Sequence, residues 1–168
     1  MARSPKTTDI ISHWNTFIEG FQGSTLDFYT RVEEAIRQRQ MTDYKTSRVD
    51  WREGGILSAK REYLRVQRKE FAFDICGAPF GNGFFFSSWL GEIPSGFWRL
   101  VSLIPIFGAL LHWAFRRETY YRIDTASMFQ SLVHLAVLEV IDSMTKQQGL
   151  RQLTELERKP IMREFSRR

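Results

Sequence analysis

The side chains that could do chemistry are sparse. The chain of 168 residues holds one cysteine, Cys76, and three histidines, His13, His112 and His134. The histidines match no metal-ligand spacing such as HExxH, and one cysteine cannot build a thiolate site, so neither a metal nor a cofactor is expected. Cys76 would act as a nucleophile only beside a base or a positive field, which its neighbours in sequence do not supply, and it reads as a buried structural thiol. Asp74, Asp124 and Glu139 form no recognisable carboxylate pair, and no Ser-His-Asp arrangement follows from spacing. The glycine-rich stretch Gly77-Ala-Pro-Phe-Gly-Asn-Gly83 lacks a following GK[ST] and lies between predicted strands, so it reads as a wide hairpin connection and not as a phosphate cradle. With no motif that assigns a reaction, the chain reads as non-enzymatic.

A denser signal lies in the run IPSGFWRLVSLIPIFGALLHWAF, residues 93–115, bounded by Glu92 and by Arg116 and Arg117. Leu100 to Phe115 as one helix would reach about 24 Å, short of the roughly 30 Å hydrocarbon core of a bilayer. Pro105 and Gly108 interrupt it, which predicts two short helical pieces or one kinked piece. Trp98 with Arg99 stands near one end, and Trp113 with Arg116 and Arg117 near the other. Tryptophan prefers the headgroup level and arginine reaches toward lipid phosphate, so the arrangement fits a hairpin entering one leaflet. Phe97, Trp98, Leu103, Ile104, Phe107, Leu110 and Trp113 are the candidate inserting residues, with Arg99, Arg116 and Arg117 orienting them. The same run could instead cover the domain's own core, face a second copy of the chain, or lie under another protein.

A second candidate site is basic. In the predicted strand around Leu64, the residues Arg61, Tyr63 and Arg65 share one face with Gln67, a candidate surface for an anionic ligand. The glycine and aromatic pattern of the RNA-binding strand motif is missing, which disfavours nucleic acid.

These residues need a scaffold. The chain is 43% hydrophobic and 26% charged, with a net charge of +5, values that suit one α+β domain over residues 1–168 and favour anionic partners. Charge is uneven: between Ile75 and Phe115 the only charged residues are Glu92 and Arg99. Asp9 followed by Ile10, Ile11, Trp14, Phe17, Ile18 and Phe21 predicts a first helix, ended by Gly20 and Gly23. Ser24 with Asp27 predicts the cap of a second, Leu26 to about Gln40. Texture then turns to period two, predicting strands over Tyr44–Trp51, Ile56–Arg68, Phe71–Cys76 and Phe84–Leu90, with Arg117–Ile123 as a fifth. Asp124 or Thr125 would cap a long helix carrying Phe129, Val133, Val137, Ile141 and Met144 and stopped by Gly149. Thr154 with Glu157 resembles a capping box for a short final helix.

The expected architecture is α+β: two N-terminal helices, a curved antiparallel sheet of about five strands, an apolar helical insertion at 93–115 before the last strand, and a long C-terminal helix packed on the sheet. The expected function is a membrane-associating protein, or one oligomerising at a membrane, with an anionic membrane surface or a protein partner. The alternative is a soluble binding domain that encloses an apolar ligand. One cysteine allows no intramolecular disulfide, and the polar start MARSPKTTD lacks the apolar core of a signal peptide. A cytoplasmic setting, at the inner face of a membrane, is therefore expected.

Overall fold

Alternation along the chain decides which residues meet. On the strand Phe71–Phe80, the side chains of Phe71, Phe73 and Ile75 turn to one face and those of Ala72, Asp74 and Cys76 to the other, as a two-residue period requires. The computed structural model describes residues 9–52, 60–93 and 119–163. In chain order these form β1 (Asp9–Glu19), α1 (Thr25–Gln38), β2 (Lys45–Arg52), β3 (Lys60–Arg68), β4 (Phe71–Phe80), β5 (Gly83–Glu92), α2 (Tyr120–Gln147) and β6 (Ile161–Met162). Among the described residues the fold is α+β. An open antiparallel sheet runs in the order β2-β3-β4-β5-β1-β6, and the two helices share one face of it.

The core lies between that face and the helices. Phe28, Val32 and Ile36 of α1 and Phe129, Val133, Val137 and Ile141 of α2 meet Leu64, Val66, Phe73, Ile75, Phe84, Phe86 and Leu90 of the sheet. Edge-on ring pairs knit the layers: Phe28 with Phe86 at 4.9 Å and Phe73 with Phe129 at 6.3 Å between centroids. Tyr29 pins α1 to the sheet by polar contacts. Its hydroxyl donates to the Glu62 carbonyl at 2.8 Å and accepts from the Gly77 N–H at 3.3 Å, and its ring lies under the Arg48 guanidinium. Burial pushes the Tyr29 hydroxyl well above its ordinary pKa, so it stays a donor.

Several local expectations hold. The Ser24 side chain caps α1 by accepting from the Asp27 N–H. Gly149, at φ +67°, ends α2 with the Leu150 N–H donating to the Thr145 carbonyl. Others fail for identifiable reasons. The predicted first helix is strand β1. Trp14, Thr16 and Ile18 face the core while His13, Asn15 and Phe17 face away, a period of two that coexists in the sequence with the helical stripe. A bulge between Ile10 and Ser12 shifts the alternation at one end. The N-terminal helices therefore number one, and the described sheet has six strands instead of about five.

Of the predicted fifth strand, Tyr120–Ile123 forms the first turn of α2. Thr119 is its cap, accepting from the Arg122 N–H, in place of Asp124 or Thr125. The wide connection expected at 77–83 is a tight turn at Gly81-Asn82, because β4 continues to Phe80. Thr154 and Glu157 do form reciprocal capping bonds, but around a single turn and not a helix. The helical insertion expected at 93–115 lies outside the described residues beyond Ile93.

Gly77 sits where α1 crosses β4 and has no room for a side chain. A Cβ there would come within 2.5 Å of Phe28 Cδ1 and 3.1 Å of Phe84 Cε1, both on buried rings. Gly77→Ala should destabilise the fold by about 1–3 kcal/mol through overpacking, lowering the urea midpoint at unchanged m-value. An unmoved midpoint would show that α1 is not seated as described.

Candidate functional site

The corner at the end of β5 is built from four elements, β5 with its neighbours β4 and β1, and α2. β5 runs out at Glu92, which pairs in register with Phe71 on β4 and with Asp9 on β1. The Ile93 N–H donates to the Glu70 carbonyl at 2.7 Å, fixing the direction in which the chain leaves. α2 begins at the same corner, because Arg122 Nη2 meets Glu92 Oε2 at 2.7 Å with both side chains largely covered. A charge-assisted bond of this kind is shorter and stronger than a neutral one, and partial burial protects it from salt screening. The described residues on either side of 94–118 are therefore tied together through Glu92 and Arg122. Around that place Tyr120 is 77% exposed, Tyr121 75% and Ile10 49%. Tyrosines with an apolar body and a polar tip are residues that settle at an apolar–water boundary.

The sheet face away from the helices carries a polar cluster. Arg65 of β3 and Asp74 of β4 stand opposite each other and join by two parallel bonds, Nε to Oδ1 at 2.6 Å and Nη2 to Oδ2 at 2.7 Å. Arg65 is only 2% exposed, so its charge is committed inside the protein. Next along the same row is Trp89, which stacks on His13 with centroids 5.1 Å apart. Cys76 lies beside Ser87 and Tyr63. Burial raises its thiol pKa against the opposing influence of Arg61 and of bonds to Tyr29, Ser87 and Tyr63, and no histidine is among the groups acting on it. A protonated, buried thiol without a base is a poor nucleophile. Phe17 and Phe80 form an exposed edge-on pair at the hairpin end of this face.

The predicted residues fare differently. Phe97, Trp98, Arg99, Leu103, Ile104, Phe107, Leu110, Trp113, Arg116 and Arg117 lie outside the described residues. Arg61, Tyr63 and Arg65 do share one sheet face, but they are not equivalent: Arg61 is exposed, Tyr63 half-buried and Arg65 buried against Asp74. Among the described residues no group of three His, Cys, Asp or Glu side chains is placed to hold a metal ion, and no helix is long and apolar enough to cross a membrane.

Two features escaped the sequence reading. The Glu92–Arg122 pair joins residues on either side of the apolar run. A charge at each border was the available signal, hidden by the assignment of Arg122 to a strand. The Arg65–Asp74 pair follows from hairpin counting: a turn centred on Lys69 and Glu70 pairs Arg68 with Phe71 and hence Arg65 with Asp74. Comparison with protein-family models, with curated proteins and with solved structures finds no match. The chemistry of the site therefore rests on the residues themselves.

Breaking a buried ion pair by removing one partner leaves an uncompensated charge and costs about 3–5 kcal/mol. Asp74→Ala should lose stability on that scale in urea unfolding. The double variant Arg65→Met/Asp74→Leu should recover most of it, since no charge is then stranded. Equal losses in both would mean that the two side chains do not depend on each other.

Proposed function

We propose that the protein associates with membranes at their cytoplasmic face, with the α+β domain as a rigid platform and residues 94–118 as the inserting element. The observation that carries this reading is the corner at Glu92 and Arg122. The described residues that flank an apolar, charge-poor stretch with Trp98, Arg99, Trp113, Arg116 and Arg117 near its ends meet there, beside exposed Tyr120, Tyr121 and Ile10. A stretch whose flanking residues meet suits entry into a single leaflet, which needs no full span.

The energetics favour such a role. Each of Phe97, Trp98, Leu103, Ile104, Phe107, Leu110 and Trp113 that leaves water contributes about 1.5–3 kcal/mol. Arg99, Arg116 and Arg117 each add about 1 kcal/mol near anionic headgroups, a combined preference on the order of 100-fold at low salt. The net charge of +5 acts in the same direction. Tyr120 and Tyr121 would then meet the headgroup layer, with the Glu92–Arg122 bond holding the platform at that depth.

Co-sedimentation with phosphatidylcholine vesicles, alone or with phosphatidylserine, tests the reading. The full chain should pellet with vesicles, more strongly with the anionic ones at low salt, and stay bound at high salt through its apolar residues. A chain in which residues 94–118 are replaced by a short Gly-Ser linker should keep its melting transition and remain in the supernatant. Failure of the full chain to bind either vesicle overturns membrane association. Loss of folding in the shortened chain would assign the stretch to the protein's own core.

A further inference from the structure

The segment after α2 crosses back over the molecule and is tied down by five contacts. Leu153 is buried in the core. The Trp14 indole N–H donates to the Glu157 carbonyl at 2.6 Å, and Arg158 makes two parallel bonds to Asp142 of α2, at 2.8 and 2.9 Å. β6 then pairs with Ser12 and His13, covering the free edge of β1. The fifth tie is His134. Its Nε2 lies 2.7 Å from the Arg158 carbonyl, an atom that only accepts, so Nε2 carries the proton and Nδ1 is the bare nitrogen. His134 is 5% exposed, sits edge-on to Trp14, and its Nδ1 is buried with no hydrogen-bond partner.

We propose that residues 150–163 form an acid-sensitive strap, held against α2 and β1 while His134 is neutral and released when Nδ1 takes up a proton. A proton there creates a buried cation and a donor with nothing to accept from it, an arrangement the folded strap cannot satisfy. An open strap exposes the ring to water and removes that cost.

The charged groups around the ring do not offset the new charge. Arg158 and Asp142 are bonded to each other, and Arg151 is bonded to Glu157, whose carboxyl Arg151 and Thr154 hold well below the usual carboxylate range. Glu157 therefore stays ionised in mild acid and is not the group that titrates. β1 brings Trp14 to this side, while His13 faces the opposite side of the sheet, against Trp89. Desolvation lowers the His134 pKa, with the bond to Arg158 opposing. A group whose folded pKa is depressed binds protons more readily when open. Docking is thus strongest above the ordinary histidine value of about 6.5 and weakens as pH falls from there toward the folded value.

The experiment is hydrogen–deuterium exchange of the full chain at about pH 7.5 and about pH 5, corrected for the intrinsic exchange rate and read on peptides covering 150–163. Protection of the strap should fall about tenfold for each pH unit between the open value of about 6.5 and the docked value, to at most about 30-fold at pH 5, while α1 and β4 keep theirs. His134→Gln retains a side-chain N–H for the Arg158 carbonyl but cannot titrate, and its strap protection should not change with pH. A wild-type strap indifferent to pH, or an equal loss in His134→Gln, overturns the proposal. Should the variant fail to fold, histidine side-chain NMR of the wild type decides. Titration of His134 together with loss of strap protection supports the switch, and titration with the strap still protected refutes it.

Discussion

β4 occupies one edge of β5, and the other edge would present a row of unpaired backbone N–H and C=O groups if β1 did not fill it, in register from Asp9–Glu92 to Glu19–Gly83. That pairing sets the topology. Because β1 is the first strand yet lies beside the fifth, the chain must cross the sheet to reach β2 at the far edge, and α1 makes the crossing. The crossing buries Phe28, Tyr29, Val32 and Ile36 over the sheet and leaves room alongside for α2. The same pairing brings Asp9 and Ile10 to the end of β5, so the corner at Glu92 is a product of the β1–β5 ladder.

The two faces of the sheet solve different problems. One is covered by helices and is almost wholly apolar, so its stability comes from packing and its tolerance is low, as the space at Gly77 illustrates. The other places Asp74, Arg65, Cys76 and Ser87 at low exposure, and there each polar group needs a partner. The bidentate Arg65–Asp74 geometry, in directly opposed register, also opposes slippage of β3 against β4. A shift of β3 by one residue would turn Arg65 toward the apolar layer and leave Asp74 without it.

Polar anchoring recurs where elements meet. Tyr29 fastens α1 to β3 and β4, Glu92 fastens β5 to α2 through Arg122, and Trp14 and His134 fasten the C-terminal segment to β1 and α2. Of these, the His134 contact is made by an imidazole, whose pKa burial lowers, and the others are not.

Local signals in the sequence determined what depends on a few neighbouring residues: the Ser24 cap of α1, the Gly149 stop of α2, the period-two texture of β3, β4 and β5, and the charge-poor run bounded by Glu92 and Arg116. Only tertiary structure decided the state of residues 9–19. Ile10, Ile11, Trp14, Phe17 and Ile18 satisfy a helical stripe, while Trp14, Thr16 and Ile18 satisfy a strand, and the partner that settles the choice is β5, more than sixty residues away. The start of α2 was equally ambiguous, because Thr119, Asp124 and Thr125 are all competent caps and the bond from Arg122 to Glu92 favours the earliest. The pairing of Arg65 with Asp74 and the seating of His134 against Arg158 belong to the same class. Residue type announces a donor or an acceptor, and the partner is chosen by how distant segments pack.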